Sequence, residues 1–184
     1  SFDTAPSAMA LIATDGLPGV FTMTNVLIGA NEPRNCAFSA DAAVEVSRSL
    51  SDDDSCAGAV SQEPISAWPY ATTFGNVGEI ASADLLVGDL ANYGGETETL
   101  PLLPGSAAIG FADPQACPGI DQRGITRPQG DACDIGAYES RGFDLAITGG
   151  NDQSAPWGAE FPAPLSATVS SAHNEPVNGG RLFL

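Results

Sequence analysis

The chain has no lysine, only one histidine, and no cysteine pair at C-x-x-C spacing. Each absence excludes something. Without lysine, all six basic residues are arginine, set against 23 acidic residues for a net charge of −17. Such a surface repels phosphates and anionic lipids, so no nucleic-acid partner is expected. Without paired Cys or a second His, a tetrahedral zinc site has no ligand set of the usual spacing. No G-x-S-x-G elbow accompanies His173, which reads as an exposed turn residue. No apolar run approaches 18 residues, so no membrane span is expected in this segment. Clean i, i+3, i+4 apolar spacing is also missing over any 12 residues, and Gly and Pro together make up about a fifth of the chain. Helix is therefore not the expected building block.

What is present is short alternation. Phe21-Thr-Met23-Thr-Asn25-Val-Leu27 and Val44-Glu-Val46-Ser-Arg48-Ser-Leu50 each read as strands. The two align at an offset of 23 residues, pairing Phe21 with Val44, Met23 with Val46 and Asn25 with Arg48. A period of this length, with inward apolar residues and a polar turn, suits one rung of a β-solenoid. A hairpin-rich sandwich gives the same spacing. From Pro64 to Pro104 the chain is irregular, and Trp68, Tyr70 and Phe74 read as loop anchors or as a platform for sugar rings. Ala83-Asp-Leu-Leu-Val-Gly-Asp-Leu90 reads as a helix or a buried strand. Asn92-Tyr-Gly-Gly95 and Pro104-Gly105 read as turns. After Ser140-Arg-Gly142 the composition shifts. Phe143–Ile147, Leu165–Val169 and Arg181–Leu184 then read as strands.

Four cysteines, Cys36, Cys56, Cys117 and Cys133, are best read as two disulfides. Three connectivities are possible, and Cys36–Cys56 with Cys117–Cys133 are the local ones. Either local bridge closes a loop worth about 3 kcal/mol by chain entropy. Disulfides place the chain in an oxidising compartment, secreted or at a cell surface. Ser1 begins without a leader and Leu184 falls within a strand pattern, so the chain is read as a mature or excised piece of something longer.

The densest chemistry lies in Cys117-Pro-Gly-Ile-Asp121-Gln-Arg123-Gly124-Ile-Thr-Arg127-Pro128, continuing to Cys133-Asp134-Ile-Gly-Ala-Tyr-Glu139. Together with Ala91-Asn-Tyr-Gly-Gly95 and Leu100-Pro-Leu-Leu-Pro-Gly-Ser106-Ala-Ala-Ile109, it resembles the bacterial choice-of-anchor Q family. The resemblance covers roughly residues 18–140. It implies the C-terminal end of a right-handed parallel β-helix surface protein. One departure is visible: Gly110 stands where the family usually carries an acid. Residues 143–184 resemble the opening strands of a bacterial Ig-like domain, through Pro164-Leu-Ser-Ala-Thr-Val169 and Glu175-Pro-Val-Asn-Gly-Gly-Arg-Leu-Phe183.

The expected fold is thus all-β. Residues 1–140 form a short right-handed parallel β-helix with a disulfide-stapled C-terminal cap, and 143–184 add partial Ig-like strands. Asp121 and Arg123 have two readings. In one they are a general base and an anion-stabilising group, as in β-helix polysaccharide lyases or hydrolases. In the preferred one, Arg123 or Arg127 pairs with Asp121 or Asp134 across a loop, and Gly124 and Gly130 supply unusual backbone angles. Such a loop, with Glu139 at its end, would cover the exposed edge of the last rung. Asp52-Asp-Asp54 offers carboxylates for Ca²⁺, but without a D-x-D-x-D-G loop an exposed polar turn is preferred and no cofactor is expected. The ranks of Thr that ice binding needs are absent, since Glu45 and Ser47 stand 23 residues after Thr22 and Thr24. The expected role is a structural or adhesive module rather than an enzyme. Its expected partners are neighbouring copies, the rest of a longer parent chain, or surface glycans.

Overall fold

The computed structural model describes residues 7–11, 20–29, 34–38, 43–51, 55, 60–61, 72–74, 77–79 and 85–182. Among the described residues the regular structure is mostly strand, with a 3₁₀ turn at Pro114–Ala116, so the chain is broadly all-β. Its strands are β1 (Ser7–Leu11), β2 (Val20–Thr24), β3 (Leu27–Ile28), β4 (Arg34–Phe38), β5 (Ala43–Ser47), β6 (Leu50–Ser51), β7 (Val60–Ser61), β8 (Thr72–Phe74), β9 (Val77–Glu79), β10 (Asp144–Gly149) and β11 (Ser166–Ser170). Among the described residues no helix is long and apolar enough to cross a membrane.

The first nine strands pair mostly in parallel. β1 pairs with β4, β2 with β5 and then β7, and β3 with β6 and then β9, while β8 turns back antiparallel on β9. Each of the first three strands therefore lies beside the strand three places further on. The register realises the 23-residue offset directly, with Phe21 opposite Val44 and Met23 opposite Val46. The same 23-residue offset pairs Leu27 with Leu50, whereas Ser7 meets Arg34, Glu45 meets Val60 and Leu50 meets Gly78, so the other connections differ in length and only the β2–β5 and β3–β6 turns show as a period in the sequence. Asn25 and Arg48 occupy equivalent corners, and both have left-handed backbone, with φ of 59° and 45°. At these corners Val26 N donates to Ser49 Oγ at 3.1 Å, and Leu50 N donates to Val26 O at 2.9 Å.

Beyond residue 85 the chain is largely irregular up to β10. Of the Ala83–Leu90 segment, Ala83 and Asp84 lie outside the described residues, Leu85 is helical and Val87 makes an isolated bridge. Leu86 adopts φ 47° and breaks any regular run. Among the described residues, isolated antiparallel bridges then join Val87 to Leu102, Ala91 to Thr99 and Ile120 to Thr126. The core joins the two regions, because Leu50 from β6 packs with Leu85, Leu102, Ala108, Cys133, Ile135 and Tyr138. β10 and β11 form a separate antiparallel hairpin. Arg181 and Leu182 lie outside any strand, in contrast to the expected strand there.

Candidate functional site

Residues 108–142 have no ladder partner for most of their buried backbone, and a buried N–H or C=O must still find one. Side chains fill that need. Asp121 Oδ1 accepts hydrogen bonds from Arg123 N (2.8 Å) and Ile125 N (2.9 Å). Its Oδ2 accepts from Glu139 N at 3.0 Å and from Arg123 Nε at 2.9 Å. Glu139 takes Gln129 N on Oε1 (2.9 Å) and Asp134 N on Oε2 (3.0 Å). Asp134 takes Gly110 N (2.8 Å) and Ser140 N (2.6 Å) on its two oxygens. The arginines do the converse for carbonyls. Arg123 Nη2 donates to Glu139 O at 2.6 Å, and Arg127 donates to Asp134 O at 2.7 Å and to Gly136 O at 2.6 Å.

The ion pairs follow from this arrangement. Arg123 pairs with Asp121 at 2.8 Å, and Arg127 pairs with Glu139 at 3.4 Å. Arg127 reaches Asp134 only at its backbone oxygen. The Arg123 guanidinium also lies 3.4 Å from the centre of the Tyr138 ring, a cation–π contact within a dry site. Gly124, at φ 84°, closes the turn by donating to Asp121 O at 3.0 Å. Gly130, expected to have an unusual angle, is not among the residues with positive φ, whereas Gly136 is, at 101°. A Cβ on Gly136 would meet Leu27 Cβ at 3.0 Å, so the cap can approach β3 this closely only through glycine.

Titration differs sharply across the network. Burial alone would raise Asp121, but hydrogen bonds from Glu139 N, Ile125 N and Arg123 outweigh it and hold the carboxyl below its ordinary range. Asp134 is pushed up to about 7, chiefly by burial, with the Glu139 charge adding to it and the Ser140 and Gly110 amides opposing. Tyr138 is raised to about 12 by burial and by the Glu175 charge.

The structure places the sequence-derived residues as follows. Asp121, Arg123, Gly124, Arg127, Asp134 and Glu139 converge on one network, and Cys117 and Cys133 form a disulfide with Cα atoms 6.3 Å apart. Cys36 is buried and disulfide-bonded, while Cys56 lies outside the described residues. Asp52–Asp54, Trp68 and Tyr70 also lie outside them. His173 is exposed, and its carbonyl accepts from Arg141 at 3.3 Å. Among the described residues no cluster of three metal-ligating side chains occurs.

Two participants carried no local signal in the sequence. Asn25, at the first of the two left-handed corners, accepts from Asp113 N at 2.6 Å through its side chain and from Gly136 N at 2.9 Å through its carbonyl. These hydrogen bonds fasten residues 108–142 beside β3, an edge strand of the four-stranded sheet. The second is Glu175, which is buried and binds across the supposed boundary near residue 141. Its carboxylate accepts from Ser140 Oγ (3.1 Å), Arg141 N (3.0 Å) and Arg141 Nε (3.2 Å). Comparison with protein-family models, with curated proteins and with solved structures finds no match.

Proposed function

We propose that the chain is a structural module of a secreted or cell-surface protein. In this reading, residues up to about 80 are rungs of a short parallel β-helix, and residues 108–142 are its locked cap. The partial Ig-like strands after it engage neighbouring copies or further parts of a longer chain. The resemblance to the choice-of-anchor Q family points the same way, and the disulfide agrees with an extracellular setting.

The observation that carries the reading is the occupancy of Asp121. Both of its oxygens already accept two donors, from the Arg123, Ile125 and Glu139 backbone and the Arg123 side chain. A carboxylate offers about four lone-pair positions, so none is left for a substrate proton. A general base must reach the proton that it removes. Asp121 instead organises backbone, and a low pKa makes it a weak base.

The alternative, a polysaccharide lyase or hydrolase, is tested by incubating the purified chain with acidic and neutral polysaccharides and measuring new reducing ends and unsaturated products. No turnover is expected. Turnover by the wild-type chain that disappears in Asp121→Asn, with the circular dichroism spectrum unchanged, overturns the structural reading.

A further inference from the structure

An open cavity of about 480 Å³ lies beside the cap and takes no part in the charge network. Its volume falls within the roughly 300–1,000 Å³ typical of small-ligand clefts. One wall comes from the segment carrying Leu86, Asp89 and Tyr93, with Leu103 behind it, and the other from the turn holding Pro176 and Asn178.

Both walls are held in place by hydrogen bonds and ring packing. Leu86 sits at φ 47°, a conformation that a branched side chain rarely adopts and that persists only where the surroundings impose it. Leu103 N donates to Leu86 O at 2.8 Å, and Ser106 Oγ donates to the preceding carbonyl of Leu85 at 2.8 Å. These bonds fix the inverted backbone and set the Leu86 side chain into the wall. Tyr93 packs edge-on against Tyr138, with ring centres 6.2 Å apart, and its hydroxyl donates to Asp89 O at 3.1 Å. The opposite turn is pinned at one end by Glu175 and at the other by Arg181 N, which donates to Pro104 O at 2.8 Å. A cleft with walls this constrained loses little conformational entropy when it is filled.

Its chemistry selects the occupant. No cationic side chain lines it among the described residues, so phosphates, sulfates and uronic acids have no counter-charge, and the net charge of −17 repels them further. The lining combines apolar side chains and one tyrosine with an exposed carboxylate and an exposed amide. Sugars need this combination, with C–H faces against the apolar and aromatic surface and hydroxyls shared between carboxylate and amide oxygens. We propose that this cleft binds a neutral saccharide unit through Tyr93, Asp89 and Asn178. The site does not depend on the structural reading above, since the cleavage assay and the binding assay can fail independently.

The test is a titration of the ¹⁵N-labelled chain with maltotriose, cellotriose, mannotriose and tri-N-acetylchitotriose, followed by amide shifts. Saturable shifts at Gly88, Tyr93 and Gly179 are expected with at least one of them. Asp89→Ala and Asn178→Ala, both at exposed positions, should each weaken binding tenfold or more while the remaining spectrum is unchanged. No saturable shift with any of the four, or undiminished affinity in both variants, overturns the proposal. Saturation by benzylamine with no response to the sugars would assign the cleft to a cation and also overturn it.

Discussion

Asp121 and Asp134 belong to one buried network yet titrate in opposite directions, and this difference sets the pH dependence of the cap. Asp121 is held low, so its contribution is present above the unfolded value of 3.8 and is lost as the pH falls through its folded pKa. Asp134 is raised to about 7, so the native state binds a proton that the unfolded chain has already released. Between about 4 and 7 that difference makes folding less favourable as the pH rises, by up to about 1.4 kcal/mol per pH unit for one group. From these two groups thermal stability is therefore expected to peak near pH 4 and to decline until about pH 7. In Asp134→Asn the decline between pH 5 and 7 should flatten, whatever the absolute midpoint. A wild-type midpoint that rises steadily from pH 5 to 7 in scanning calorimetry would contradict the assignment. The acids and arginines of this network stand out in the sequence because opposed charges crowd one aperiodic segment. Which acid meets which arginine does not, because partners such as Arg127 and Glu139 are chosen by where buried amides are left unpaired. Glu175 was hidden for the same reason: nothing near it in the chain announces that it serves Ser140 and Arg141 more than thirty residues earlier.

At the scale of elements, the strands and the cap differ in how they are encoded. Period-two alternation gave β10 and β11 to within about two residues, whereas the runs Phe21–Leu27 and Val44–Leu50 joined β2 to β3 and β5 to β6 across the left-handed corners at Asn25 and Arg48; their equal spacing gave the Phe21–Val44 register. Both are repetitive physical constraints, and repetition is what a sequence displays. The cap has none. Its backbone follows individual bonds such as Ala112 N to Cys133 O and Ile135 N to Ala108 O, at 3.0 and 2.9 Å. The left-handed Leu86 ends any regular run directly after the helical Leu85, a stop that the apolar pattern of Ala83–Leu90 does not signal. One covalent link bounds this aperiodic region. Cys117–Cys133 spans a sequence separation of 16, worth about 3 kcal/mol if its effect is on the unfolded chain. The Cys117→Ala/Cys133→Ala double variant should then lose about that much in denaturant unfolding. Amide exchange should accelerate first at residues 108–140, before the β2–β5 ladder. A loss confined to the strands, with the cap unaffected, would show that the disulfide is not what holds the cap.

For the whole molecule, two long-range features oppose each other. The β10–β11 hairpin has one apolar face, where Leu145 stands opposite Val169 and Ile147 opposite Ala167. That face is open to solvent: Ile147 is 70% exposed and Leu165 62%. A two-stranded hairpin with such a face is marginal alone and gains from a further sheet or strand. Against this stands the net charge of −17, which drives copies of the chain apart. The repulsion acts over the Debye length, about 30 Å at 0.01 M salt and about 3 Å at 1 M, whereas apolar burial does not weaken as salt rises. Self-association through this face should therefore be suppressed at low ionic strength and appear as salt is added. Sedimentation velocity at about 0.01 M and about 1 M NaCl, over a range of protein concentrations, should show a single monomer boundary in the first case. In the second it should show a concentration-dependent shift to larger species. Ile147→Lys places a charge at the centre of the face and should abolish that shift without changing the monomer's unfolding midpoint by more than about 0.5 kcal/mol, since the position is exposed. A monomer at every salt and concentration would remove assembly through this face from the functional reading. Association that survives Ile147→Lys would move it to another edge of the sheet system.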